Sequence, residues 1–508
     1  MSRLNDFCCK NKLYIFICSL ILLLVHGSRF FTRNVSIDTL LFTVSPETNY
    51  NWLGIGRWGM VLTKKLGGLS RYNPFAVSVF AFIMMILACV IWAYLFYSVS
   101  GENRGVFFAF GIIFFTNQVF ALQFFFQIQV FELMFSMLLI PIALMLIYNW
   151  IDNKKLSFCI AGIACMVWIF STYQSNVILY ISGAISCFLL YKQNNLKDSV
   201  QIILKLVLTF LIGYILYILI NKLFFTSSGY LESNIWWGKL SVKECVDLIW
   251  QHMIQLLIGA GVFFNKCYLA LLIILTMIFF AEIRNYNLLR FVKCIALGVL
   301  LLMPFAMTLY LGHMPVERSQ TSIGFVLGIG FVLVYCYFST NKKYIIRKLG
   351  LLLTIMIIGI TMQKQMYTTL KLYYTDDIRF KEDIYILQQI QNDINEIGGF
   401  RDRAVIFIGK REANLNASCY PAGTQGIEYY GTSCFSLMTD TKPYYYTSSF
   451  IINDLSATIG MPFLKPTVEQ VERAREFAVD MPSWPSKGAV VGTEDMIVVK
   501  LSEDILPK

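Results

Sequence analysis

A run of about twenty apolar residues has one stable use in a cell: it crosses a bilayer as a helix that closes its own backbone hydrogen bonds. This chain holds about eleven such runs, near residues 13–31, 75–98, 106–124, 129–149, 157–172, 176–191, 203–222, 263–281, 294–311, 323–338 and 349–362. Several are short or almost continuous, notably across 157–191, where a span is easily gained or lost in counting. The pattern predicts a polytopic α-helical membrane protein of about 11 transmembrane helices.

Composition agrees, because 57% of the 508 residues are hydrophobic, 14% are charged and the mean hydropathy is +0.62. A formal charge of +11 suggests nucleic acid until the basic residues are placed. Most of them flank apolar runs and orient spans, so no nucleic-acid partner is expected. Arg104, Lys154, Lys155, Lys192, Lys197, Arg284, Arg290, Lys293, Lys342, Lys343, Arg347 and Lys348 fall on alternate loops, which makes those loops cytoplasmic together with the N-terminus. The run from Leu13 follows Arg3, Lys10 and Lys12 and lacks a small-residue cleavage site, so it reads as a retained signal anchor. The thirteen cysteines are scattered, many within apolar runs, and show no metal-ligand spacing.

The same bias places residues 32–74, 119–130, 173–176 and everything beyond span eleven outside. Residues 1–362 are expected to form a transmembrane catalytic domain, with 32–74 as its first outer loop. Ser227 to Gln251, with Trp236, Trp237 and Trp250, reads as a surface helix at headgroup level, either as anchor or as a face meeting lipid or sugar. Residues 363–508 have the composition of a soluble α/β domain, with helices at 377–397, 448–459 and 468–478 and strands at 404–408 and 496–501. If that domain is outside, Cys419 and Cys434 are available for a disulfide, the alternative being two reduced thiols.

The chemistry concentrates in the first outer loop. An enzyme working there has no ATP or nucleotide sugar, so an activated substrate must arrive on a lipid. Transfer of a lipid phosphate's headgroup needs a base, a cation for the departing phosphate and a dry wall. Asp38, followed by apolar Leu40, Leu41 and Phe42, is the expected base, partly desolvated with a raised pKa; Glu47 is a supporting carboxylate. Arg57 lies between glycines that let backbone approach a ligand and between Trp52 and Trp58, whose faces suit sugar or lipid. Arg57 and Arg318 are the expected phosphate ligands, their alternative being headgroup or solubility roles. Asn117, Gln118, Tyr173 and Gln174 sit at the outer ends of spans as polar site-lining residues or as structural hydrogen bonders. No metal or other cofactor is expected, and nucleotide-loop, zinc-protease and nucleophile-elbow motifs are missing.

In this order, SIDTLLF, NWLGIGRWG, TYQSN, PVERSQ and a soluble tail resemble the membrane glucosyltransferases that modify bacterial O-antigen and convert serotype, many carried by bacteriophages. The resemblance implies a GT-C-like fold in the bacterial inner membrane, with a periplasmic C-terminal domain. It implies glucose transfer from undecaprenyl-phosphate glucose to the O-antigen of lipopolysaccharide while that antigen is lipid-linked, by an inverting single displacement. Asp38 matches the acidic residue of the first outer loop that serves such enzymes as base. Tyr429, Tyr430 and Phe435 of the tail would recognise the acceptor, and the functional partners would be a flippase and a lipid-glucose synthase.

Two other readings stand beside this one. An O-antigen polymerase or ligase would also act on lipid-linked sugars outside, but calls for a large Arg-rich central outer loop. A lipid-linked sugar flippase or transporter calls for ionisable residues within spans, and runs such as 75–98 and 294–311 have none.

Overall fold

A computed structural model describes residues 2–32, 34, 37–102, 104–193, 195–283, 287–398, 402–420, 431–436 and 447–503. Among them, seven helices are long and apolar enough to cross a membrane: Lys12–Phe30, Pro74–Ser100, Gln127–Asn153, Leu196–Phe224, Leu288–Leu311, Thr321–Ser339 and Tyr344–Ile397. The expected span at 106–124 is a broken pair, Val106–Phe115 and Val119–Phe125, bent by 52°. Leu156–Thr172, Asn176–Leu190 and Cys267–Ala281 are apolar but shorter. By length and composition seven helices among the described residues, or eight with the broken pair, are full-length span candidates, so eleven spans are not shown; the chain is a polytopic membrane protein of helical class.

Local sequence explains the helix ends. Asn73 accepts hydrogen bonds from the amides of Phe75 and Ala76, Pro74 opens the first turn, and Gly101 closes the helix at φ +68°. Ser241 and Glu244 cap one another's backbone at the start of Val242–Ile258. At the break of the bent pair, Asn117 takes the amide of Val119, Thr369 bonds the carbonyl of Thr116, and His26 bonds that of Phe115 at 2.9 Å. Side chains from the first and last membrane helices thus replace the missing helical bonds, which makes a bend tolerable in an apolar setting.

The boundary expected near residue 362 falls inside one 54-residue helix, Tyr344–Ile397. The separate helix expected at 377–397 is its continuation, because from Ile360 to Ile397 no Gly or Pro interrupts it. Beyond it stands a three-stranded sheet of order β1-β3-β2, with β1 at Ala404–Ile408, β2 at Val490–Gly492 and β3 at Met496–Lys500. β1 runs parallel to the central β3, and β2 runs antiparallel to it. The two strands read from sequence are present, whereas β2 has only three residues and no sequence alternation to announce it.

Both faces of this sheet are covered, as the unbroken burial of β1 and β3 requires. One face packs on Ile386, Leu387, Ile390 and Ile394 of the long helix and on Ile451, Ile452 and Leu455 of Thr447–Thr458. The other packs on Val471 and Ala474 of Val468–Phe477. Cys419 and Cys434 are separate buried thiols, so the expected disulfide is not formed. Cys434 instead lies 3.8 Å from the Arg379 guanidinium, and its amide donates to Asp383.

A buried ionic chain ties this cap to the membrane helices. Arg29 reaches Asp376 at 2.9 Å, Arg379 reaches Asp376 at 2.7 Å and Asp383 at 3.1 Å, and Ser433 donates to Asp383 at 2.5 Å. The side chains of Arg29, Asp376, Arg379 and Asp383 are each at most 2% exposed.

Candidate active site

The helix Ile37–Val44 is held on two sides. Leu40, fully buried, belongs to the apolar cluster of the cap, while Phe42 stacks on Trp52 with ring centres 5.1 Å apart. Asp38 lies one helical turn before Phe42 and so shares its face. It is exposed, not desolvated as the sequence suggested, and it lines a cavity of about 510 Å³.

Arg57 enters the same cavity from the turn that Gly56 makes at φ +75°. Its Nε donates to Gln174 Oε1 at 2.8 Å, and Gln174 Nε2 donates to the Ile55 carbonyl at 2.8 Å. The guanidinium carbon stands 4.6 Å from the centre of the Tyr173 ring. Held through one edge and one face, Arg57 keeps both terminal nitrogens without a protein hydrogen bond among the described residues, and these suit a bidentate anion. The next glycine serves packing, not ligand approach: a Cβ at Gly59 would stand 2.3 Å from Ser171 Oγ and 2.9 Å from the Trp168 carbonyl.

Arg318 lines the cavity from a different loop, its guanidinium 4.4 Å above Phe126. Gln123 bonds the Arg318 carbonyl, and Gln129, itself a lining residue, donates to Gln123 at 3.3 Å. Tyr214, Tyr217, Leu231, Met307 and Tyr310 add a largely aromatic wall. His313 closes another side, stacked on Trp236 at 4.2 Å between ring centres.

Six residues nominated from sequence therefore meet on one cavity: Asp38, Trp52, Arg57, Tyr173, Gln174 and Arg318. Others do not. Glu47 is exposed in the short turn Pro46–Tyr50, and Trp58 begins the helix Trp58–Leu66 half-buried; neither lines the cavity. Asn117 caps the helix Val119–Phe125, and Gln118 lines a different cavity. Phe435 is fully buried against Phe407 in the cap core and has no face left for a sugar. Tyr429 and Tyr430 lie outside the described residues. Among the described residues no group of three or more His, Cys, Asp or Glu is placed to hold a metal ion.

Sequence reasoning missed the support beneath the cavity. Lys64 pairs with Glu132 at 2.8 Å, donates to the Ile128 carbonyl at 2.6 Å, and lies 5.3 Å from the Trp52 ring centre. Trp52 and Ile128 both line the cavity. The available signal was Glu132, a carboxylate inside an apolar run.

Residues 27–335, more than half of the chain, match a family model described as Glucosyl transferase GtrII. The protein belongs to the GtrII glucosyl transferase family. All six lining residues fall inside the matched stretch, which ends before the long helix and the cap. No curated protein and no solved structure matches the chain. As a GtrII family member it is a glycosyltransferase set in a membrane, and its cavity offers one carboxylate and two guanidinium groups beside an aromatic wall.

Proposed function

We propose that this GtrII family member moves glucose from undecaprenyl-phosphate glucose to a sugar of lipid-linked O-antigen, on the periplasmic face of the bacterial inner membrane, as in serotype conversion. The observation that carries the reading is the meeting of Asp38, Arg57 and Arg318 on one cavity. Arg57 and Arg318 hold the donor's phosphate oxygens, and the wall of Tyr214, Tyr217 and Tyr310 takes the first isoprene units. Asp38 removes the proton of the acceptor hydroxyl as that oxygen bonds to the anomeric carbon. The bond from that carbon to the phosphate oxygen breaks in the same step, and undecaprenyl phosphate leaves carrying the electron pair. One displacement inverts the anomeric centre. Glu47 has no part in this scheme, since it stands away from the cavity.

The test is glucose transfer in membranes carrying Asp38→Asn protein at normal abundance. Loss of a general base should lower the rate by about 10²- to 10⁴-fold. Unchanged transfer would remove Asp38 from the mechanism. Reporter accessibility of residues 32–74 from the periplasm tests the side of the membrane separately.

A further inference from the structure

A second cavity, of about 410 Å³, lies away from the Asp38 cavity and carries cations of its own. Lys266 contributes from the loop before Cys267–Ile283, and Lys364 from the long helix; Gln118, Asn265, Gln363, Tyr367, Thr368 and Tyr420 complete its polar lining. No carboxylate lines it, and neither lysine pairs with a carboxylate among the described residues. The loop is bent to bring Lys266 there. Gly259 and Gly261 have φ of +66° and +85°, and a Cβ at Gly259 would stand 2.6 Å from the Lys266 amide nitrogen.

Gln118 gives the second observation. It is 2% exposed, its Nε2 donates to the carbonyls of Phe263 at 2.7 Å and Val262 at 3.2 Å, and its Oε1 has no partner. Those two bonds fix which end of the amide is the acceptor, so the orphan oxygen is left to accept from an O–H or N–H donor.

Depth follows from helix geometry. Lys364 stands twenty-one residues beyond Lys343, about 31 Å along the axis, which matches a hydrocarbon core of about 30 Å. Gln365 and Thr369 bond Thr116, so Gln118 lies at the same level as Lys364. The cavity therefore stands one hydrocarbon-core thickness along the long helix from Lys343, at the Asp38 end of the bundle. The short helix Val119–Phe125 links the two cavities. Gln118 precedes it at this one, and Gln123, about 7.5 Å farther along, bonds Arg318 at the other.

We propose that this second cavity binds the phosphate headgroup of the lipid-borne acceptor. Lys266 and Lys364 take the phosphate charge, Gln118 Oε1 accepts from a hydroxyl of the first sugar, and the Tyr367 ring, with the Tyr420 face that Lys371 does not cover, flanks it. Anchored there, the glycan extends past Val119–Phe125 toward Asp38. The inference rests on the glucosyl transfer reading, which leaves the Arg57 cavity to the donor.

The experiment uses the full chain in phosphatidylcholine nanodiscs, with undecaprenyl diphosphate as probe of this cavity and undecaprenyl-phosphate glucose as probe of the other. Lys266→Gln with Lys364→Gln should weaken diphosphate-lipid binding at least about tenfold, as loss of charged hydrogen bonds does. Binding of the monophosphate donor should be unchanged, and Lys266→Arg with Lys364→Arg should retain the diphosphate lipid. Unchanged diphosphate-lipid binding in the glutamine variant would overturn the proposal. Equal competition by inorganic diphosphate would mean a free-phosphate site, and equal displacement by phosphatidylglycerol a merely cationic surface; either result refutes an acceptor site. Asp38→Asn protein should bind both lipids, so a failure of the transfer mechanism is read separately from a failure of this site.

Discussion

Arg57 stood out in the sequence because a guanidinium between glycines and tryptophans in a polar loop suits a phosphate, with headgroup contact as the alternative. Its orientation was not legible, since that depends on Gln174 from a turn more than a hundred residues away. Gln174 was nominated only as lining, and the structure makes it the clamp that fixes Nε and frees the two terminal nitrogens. Gln174→Leu should therefore raise the donor KM about tenfold, the worth of one charged hydrogen bond, with a smaller change in kcat. Arg57→Lys should not restore normal kinetics, because an ammonium has neither the fork nor the planar face over Tyr173. Initial rates across donor concentrations check both.

At the scale of elements, Ser227 to Gln251 was expected at headgroup level; the amphipathic helix found there is Val242–Ile258, and its exposed stripe of Val242, Val246, Trp250, Ile254 and Ile258 suits that position. Trp236 and Trp237 precede the helix, where Trp237 donates to the Leu309 carbonyl at 2.8 Å. What docks the helix is His252, which no periodicity could have singled out. Its Nε2 donates to Gln320 Oε1 at 3.0 Å, and its Nδ1 accepts from the Thr308 hydroxyl at 2.7 Å. Burial lowers its pKa to about 4, against a partial rise from the Gln320 bond. An unfolded chain with a pKa near 6.5 then binds the proton first. The stability is present above about pH 6.5 and is lost as pH falls toward 4, about 2 kcal/mol of it between pH 7 and 5. Thermal unfolding at the two pH values should show this loss, and His252→Gln should flatten it.

A second element-scale expectation concerns Gly59→Ala. The added methyl would press the helix Trp58–Leu66 away from Leu156–Thr172, costing about 1–3 kcal/mol and displacing Arg57, two residues before it. Lower thermal stability together with weaker transfer would confirm that this glycine is a packing residue.

For the whole molecule, the cap and the bundle share one rigid connector, Tyr344–Ile397, and one buried ionic chain through Arg29, Asp376, Arg379 and Asp383. Removing Arg379 by Arg379→Leu would leave the buried Asp383 without a cation and Asp376 with Arg29 alone, at a cost of about 3–5 kcal/mol. Because Leu40 packs in the cap while Asp38 faces the cavity, we expect that variant to lose transfer as well as cap stability. Limited proteolysis of the cap, beside a transfer assay at equal abundance, measures both.

The sequence by itself determined the membrane class, the positions of the apolar segments, two of three strands and the loop that carries Asp38 and Arg57, because burial in lipid and strand or helix periodicity are written in consecutive residues. Only the tertiary structure decided which helices are long enough to span, the continuity of the last helix and the absence of Glu47, Trp58 and Phe435 from the lining of the Asp38 cavity. It alone brought Asp38, Arg57 and Arg318 to one cavity and placed Lys64 with Glu132 beneath it. Those outcomes depend on hydrogen bonds and ion pairs between residues far apart in the chain, and a single sequence carries no record of such pairings.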